Sequence, residues 1–403
     1  MTEQEIKTYM AGVNLNVKDF DDARFMDQKC IPDVVCAVSE CILNFVDNEQ
    51  HNDFTKNDIW YSDYAHELIT TSFSKPDLSE KSAKKEYDKF FGQPMRLLAY
   101  AGVLKRTVIG NINHYTIANR NLLEFISQRE RNALVFLNAY LEKLAKDNHL
   151  MAYFEDFFRM QDKDSLNTLR NKLNHFYWDN TAVKEDYEPP RIYNKIINIF
   201  AYIRKKKGTD LGRVSDGAIT LADIRYNKTN WRDKKDKSIT RQAFREMASQ
   251  QAEDTTTYLH YSIEKAKKFV RMVEADCSEV HRFSPKYTPT QAHHIFMASD
   301  FPELADCPEN IICLTPTQHY KMAHPNNKTS IVDQDYQIVC LLCKLDSIEM
   351  NNRNGKDDYS LIEFTNVLNI GLGTDYFTPQ MDYEEVKYAI IKNAYYHKIL
   401  EMR

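Results

Sequence analysis

Glycine and proline are both scarce in this chain, ten and twelve among 403 residues. With so few turn formers, and with Leu, Lys and Glu recurring at helical spacing, the sequence reads as mainly α with small β elements (α+β). It also lacks any apolar run near the ~20 residues needed to cross a bilayer. The opening MTEQEIKTYM has none of the basic-then-apolar layout of a signal peptide, so the expected location is the cytoplasm, with no membrane partner. Internal repeats and low-complexity tracts are absent too. The length leaves room for roughly two to four domains, each with its own core. Eight cysteines fit a reducing compartment as thiols. Cys340 and Cys343 form a CxxC that, with Cys307 and Cys313, has the chemistry of a structural zinc site. The apolar Val339, Leu341, Leu342 and Leu345 around it favour plain core instead, as they do for Cys30, Cys36 and Cys41 in their own apolar settings.

Histidine, by contrast, is concentrated. Five of the twelve lie between His281 and His324. Ala292-His293-His294-Ile295 is followed by Asn310-Ile311-Ile312-Cys313-Leu314-Thr315-Pro316-Thr317-Gln318-His319 and then Ala323-His324-Pro325. Adjacent strand residues point to opposite faces, so His293 and His294 cannot do the same job. A neutral imidazole suits a general base, because its ordinary pKa lies near working pH. Thr315 or Thr317 can cap a following helix that Pro316 starts and His319 rides on. His324 stands five residues beyond His319, one more than the spacing that stacks side chains one turn apart, and the position four residues on is Ala323. A bulged turn ahead of Pro325 would absorb the offset; otherwise His293, His319 and water would have to suffice.

Over about forty residues this pattern resembles the HNH, or ββα-metal, nucleases, and most of all the HNH type II restriction endonucleases. The resemblance implies a catalytic pair, His294 as general base and Asn310 as the residue that fixes the loop orienting it. It implies His293, His319 and His324 as metal ligands. The implied cofactor is a divalent ion, Mg²⁺ or Mn²⁺ first, with Zn²⁺ or Ni²⁺ also compatible with nitrogen ligands. The implied partners are double-stranded DNA and a companion DNA methyltransferase; one such site cuts one strand, so a second copy of the chain is expected to meet the first on DNA. A modification-dependent or nicking HNH nuclease shares the same chemistry. A non-enzymatic regulator carrying a degenerate HNH scaffold is a further alternative, against which the intact His294 and Asn310 argue.

The net charge of −5 hides its distribution. Between Arg204 and Arg245 there are thirteen Lys/Arg against five Asp, a local +8 that leaves −13 for the rest. Such a patch neutralises phosphates and releases counterions. Arg204, Lys205, Lys206, Lys207, Arg213, Arg225, Asn227, Lys228, Asn230 and Arg232 are its DNA-contact candidates, since Asn and Arg interleaved with aromatics read base edges as well as backbone. A solvated basic loop is the plainer reading of the same run. Arg282 and Lys286, just ahead of the His pair, are candidates to hold the scissile phosphate, or are exposed strand charges.

In the first 130 residues, an apolar-periodic helix over 34–46 precedes a helix that Thr55 caps and a third over 82–101. Residues 103–109 and 114–117 then read as strands around Gly110-Asn111. This order resembles a winged helix, with Lys84, Lys85, Lys89 and Arg96 near the helix that would enter a groove. The expected division is a winged-helix-like recognition domain at 1–130, a helical connection at 131–190, a basic segment at 191–275, the HNH domain at 276–346 and a helical closing segment at 347–403.

Overall fold

The computed structural model describes residues 1–20, 26–49, 51–73, 75–80, 83–210, 212–226, 253–275, 277–280, 291–324 and 332–401. They are mainly helical with small antiparallel sheets. The chain separates into two compact units, Glu3–Tyr258 and Leu259–Arg403. The expected boundary at 275/276 is therefore displaced. Ala266, Phe269 and Val270 join the core that also holds Ile311, Ile312 and Leu314, so the helix carrying them belongs with the histidine motif.

The first unit begins with α1 (Glu3–Ala11) and α2 (Pro32–Glu49), whose periodic Val34, Val35, Val38 and Ile42 are fully buried. The short strand β1 (Phe54–Thr55) leads into α3 (Lys56–Trp60), where Thr55 and Asp58 form the reciprocal cap expected of Thr55. Helices α4 (Asp63–Ser72) and α5 (Ala83–Tyr100) precede β2 (Leu104–Ile109) and β3 (Ile112–Ile117). Gly110 takes the tight turn at φ +61°. The sheet order is β1-β3-β2, with Phe54 opposite Tyr115 and Arg106 opposite Tyr115 on its other side. Helices α6 (Arg120–Gln128), α7 (Glu130–Asp147), α8 (Met151–Met160), α9 (Lys163–Asn180) and α10 (Glu188–Ile203) follow, then the hairpin of β4 (Lys207–Asp210) and β5 (Arg213–Ala218) and a single turn, α11 (Leu221–Ile224).

Helix α12 (Glu253–Val273) carries the chain into the second unit. There β6 (Gln291–His294) pairs antiparallel with β7 (Ile311–Leu314), registering His293 with Ile312 and His294 with Ile311. All four residues of β7 are buried, which is why a four-residue strand holds its place. A π-helical turn, Gln318–Ala323, follows β7. Helices α13 (Gln334–Arg353), α14 (Leu361–Leu372) and α15 (Tyr383–Glu401) close the core. Cys340 is fully buried on α13 and Cys313 on β7, as core residues. Gly371 on α14 lets that helix approach the loop after β6, since a Cβ there would stand 2.4 Å from the Phe296 ring.

Candidate metal and catalytic centre

The β6–β7 pairing fixes where the two adjacent histidines go. His293 is buried on one face of β6, and its ring meets His319 and His324 at centroid distances of 5.2 and 4.9 Å. His319 and His324 are themselves 4.9 Å apart. One ligand atom from each of the three lies within 4.8 Å of the others. They are the one group of His, Cys, Asp or Glu with metal-ligand spacing among the described residues, so the CxxC of Cys340 and Cys343 is not drawn into such a cluster.

The five-residue gap between His319 and His324 is absorbed by the π-turn. The His319 N–H still donates to the Thr315 carbonyl at 2.9 Å, an ordinary α step, but the His324 N–H donates to the His319 carbonyl at 3.1 Å, five residues back. That inserts one extra residue into the turn, and π-bulges of this kind are frequent at functional sites. The turn is anchored at its start. Thr315 Oγ1 accepts from the Gln318 N–H at 3.2 Å and Gln318 Oε1 accepts from the Thr315 N–H at 2.8 Å, a reciprocal cap ahead of which Pro316 costs no hydrogen bond. Buried Gln318 also accepts from Ser278 Oγ at 2.7 Å and donates to the Val280 carbonyl at 3.1 Å. The residue before His319 is thus held from three sides.

His294 faces the other way. Its Nε2 lies 2.8 Å from the Ala305 carbonyl oxygen, which can only accept, so Nε2 carries the proton and Nδ1 keeps the lone pair. Asn310 sets that carbonyl in place. Fully buried, it donates through Nδ2 to the carbonyls of Phe296 at 2.9 Å and Leu304 at 3.2 Å, and accepts at Oδ1 from the Phe296 N–H at 2.9 Å. Its backbone oxygen accepts from the Ile295 N–H at 2.8 Å. One side chain therefore locks the loop that ends in the base's acceptor.

Electrostatics keep His293, His294 and His319 neutral. Burial, then the neighbouring His319 and His324, push His293 down to about 3, and burial with His324 takes His319 to about 4. Burial also lowers His294, against the pull of the Ala305 carbonyl. Neutral imidazole is the form that binds a cation and accepts a proton. His319 Nδ1 is buried with no hydrogen-bond partner, an unmet acceptor in a nest of three nitrogen donors, so the residues present fit a divalent transition metal.

The basic candidates divide. Lys205, Lys206, Lys207 and Arg213 are exposed on the approach to and within the β4–β5 hairpin. Arg204 is instead packed over the Phe200 and Phe158 rings at 4.8 and 5.3 Å and lies 3.6 Å from Glu142. Arg225 pairs with Glu130 at 2.8 Å. The charges of these two arginines are engaged inside the first unit, where partly buried guanidinium needs a partner. Asn227, Lys228, Asn230, Arg232, Arg282 and Lys286 lie outside the described residues.

Sequence reasoning missed three groups of the second unit: the Ala305 carbonyl, Gln318 and the buried pair of Glu279 and Lys344. Gln318 had a signal, since Thr-x-x-Gln is the capping-box pattern. The others are long-range pairings with no local spacing to announce them. Scans of the chain against protein-family models, curated proteins and solved structures find no match.

Proposed function

We propose that the second unit is a ββα-metal phosphodiesterase centre and that the chain is a site-specific endonuclease for double-stranded DNA, of the type II restriction kind. One observation carries the reading. A single short strand divides two adjacent histidines between a nest of imidazoles and a separately oriented, neutral His294.

His293, His319 and His324 are the residues that would hold the metal, and when bound it supplies Lewis-acid stabilisation of the charge that builds on phosphate and leaving oxygen. Three nitrogen donors, with no carboxylate among the described members of the group, move the preference from Mg²⁺ towards Zn²⁺, Ni²⁺ or Mn²⁺. His294 takes the proton of the attacking water at Nδ1 and becomes imidazolium, while Nε2–H stays on the Ala305 carbonyl. The water oxygen bonds to phosphorus as the bond to the leaving sugar oxygen breaks, and that oxygen is protonated by solvent. Asn310 keeps the base aimed throughout.

The order α2, β1, α3–α4, α5, β2, β3 supports a winged-helix reading of the first unit, with exposed Lys84, Lys85 and Lys89 on α5 facing DNA. The exposed Lys205–Lys207 run adds phosphate contacts. One such centre cuts one strand, so a double-strand break calls for two copies meeting on DNA. A companion methyltransferase would protect the host's own sites.

His294→Ala tests the reading. Cleavage of supercoiled plasmid should fall by about 10²–10⁴, the range a general base contributes, with DNA affinity nearly unchanged. Cleavage at the wild-type rate would remove His294 from the chemistry.

A further inference from the structure

The π-turn does more than absorb a spacing. It exposes Tyr320, Lys321 and Met322, three residues in a row, between half-buried His319 and buried His324. The chain itself limits how far these side chains stand from the nest. Lys321 is two residues from His319 and three from His324, so its Cα lies within about 7 Å of the first Cα and about 11 Å of the second. Tyr320 is held more closely still, its ring meeting the His319 ring edge to face with centroids 4.6 Å apart. That contact fixes the ring, yet the residue remains exposed. Lys321 makes no ion pair among the described residues. The sequence around it is also cleared of negative charge. From Asn310 to Val332 there is no Asp or Glu in a chain that has 58, while Lys321 and Lys328 fall within that stretch. An anion nearing the nest along the turn meets no like charge from it.

We propose that the π-turn is the lip on which the strand being cut rests, with Lys321 taking an oxygen of the phosphate next to the scissile one and Tyr320 laying its ring against the adjoining deoxyribose. The proposal rests on the endonuclease reading above. An ammonium without a resident carboxylate partner is free to meet a phosphate, and an aromatic ring pinned at one edge offers one fixed face. The sugar suits that face better than a base does, because freeing a base from the duplex costs its stacking. Neither contact distinguishes one base from another. Together they set the register of the strand over the metal ligands, while sequence is read elsewhere on the chain. Because the strand is held alike before and during the reaction, the two residues act on KM more than on kcat.

The test uses the full chain with two phosphodiesters, supercoiled plasmid and bis(4-nitrophenyl) phosphate, the second having neither a sugar nor a neighbouring phosphate. Tyr320→Ala and Lys321→Ala should each raise KM for plasmid by about 10-fold, the order of one lost aromatic or phosphate contact, with the larger share of the loss in KM rather than kcat. Each should lose more on plasmid than on the small diester. Tyr320→Phe and Lys321→Arg should recover most of what the alanine variants lose. In Lys321→Ala the slope of log DNA affinity against log salt should fall by roughly one unit. A wild type that cuts neither substrate overturns the endonuclease reading and this inference with it. A wild type that cuts, beside alanine variants with unchanged KM and salt slope, overturns the lip alone. Equal losses on both substrates overturn it as well, since they would make the two residues supports of the imidazole nest.

Discussion

The second unit buries two polar clusters that answer the cost of burial in opposite ways. Glu279 and Lys344 are both fully buried and meet at 3.2 Å, the ammonium also lying 3.7 Å from the centre of the Tyr359 ring. Glu279 accepts from the Cys313 N–H at 2.8 Å and its own N–H donates to the Cys313 carbonyl at 3.0 Å, so the pair is stitched onto β7. Opposite charges and a π face offset each other here, although Glu279 Oε2 and Lys344 Nζ are buried without a hydrogen-bond partner. His293, His319 and His324 are like with like. Three nitrogen lone pairs cannot satisfy one another, and His319 Nδ1 has no partner. The first cluster pairs opposite charges across the fold; the second gathers three like lone pairs around a space that suits a cation.

The largest expected effect breaks the ion pair. Lys344→Met leaves Glu279 buried without its counter-charge, so in urea denaturation above pH 7 the second unit should lose up to about 3–5 kcal/mol, less where the carboxyl takes a proton, and adding Glu279→Leu should restore much of it. A single variant as stable as the wild type would show that water, not the ammonium, carries the charge.

Next is Asn310→Ala, which strands the Phe296 N–H and the Phe296 and Leu304 carbonyls. At ~1–3 kcal/mol for an orphaned buried group, the variant should be destabilised by at least about 2 kcal/mol. Activity should fall further than stability explains, because the Ala305 carbonyl loses its position. Wild-type activity in a folded Asn310→Ala would detach the loop from the base.

A smaller effect separates the clusters by pH. In the metal-free protein His293 and His319 have folded values of about 3 and about 4, below the 6.5 of an unfolded histidine. The unfolded chain therefore takes protons first, so their stabilisation is complete above pH 6.5 and drains away as pH falls towards 4. Glu279, raised to about 7 by burial against the attraction of Lys344, has the opposite sign, its contribution being lost as pH rises through 7. His319→Asn should flatten the acid limb between pH 6.5 and 4 and leave the Glu279 limb untouched. An unaltered acid limb would mean that His319 is solvated.

The smallest effect lies in the first unit. Replacing Lys205, Lys206 and Lys207 by Gln should reduce the salt slope of DNA binding by roughly three units with little change in stability. A constant slope would make the run an ordinary surface.

Local patterns made much of this legible. The Val34-to-Val46 periodicity gave α2, Thr55 with Asp58 gave the start of α3, and Gly110-Asn111 marked the β2–β3 turn. The opposite facing of His293 and His294 followed from strand alternation alone. The His319–His324 offset was visible as a spacing that a straight helix cannot use, and the π-turn is the backbone's solution to it. Arg204 and Arg225 show what composition hides. Each reads as one more cation in a basic run, yet its partner, Glu142 or Glu130, is a residue on α7 that only the fold brings near. The unit boundary was missed for the same reason, since the allegiance of α12 depends on what Phe269 and Val270 touch.

Calorimetric titration of the metal-free protein with Zn²⁺ and Mn²⁺ tests the central claim most directly, alongside His319→Ala and His324→Ala. The account predicts one ion per chain for the wild type. It predicts losses in both variants beyond the ~10–100-fold that a missing outer-shell partner costs, with fold stability in the absence of metal nearly kept. Wild-type affinity in His324→Ala would take the π-turn out of the site, and no stoichiometric binding by the wild type would contradict the claim that these three imidazoles were gathered for a metal.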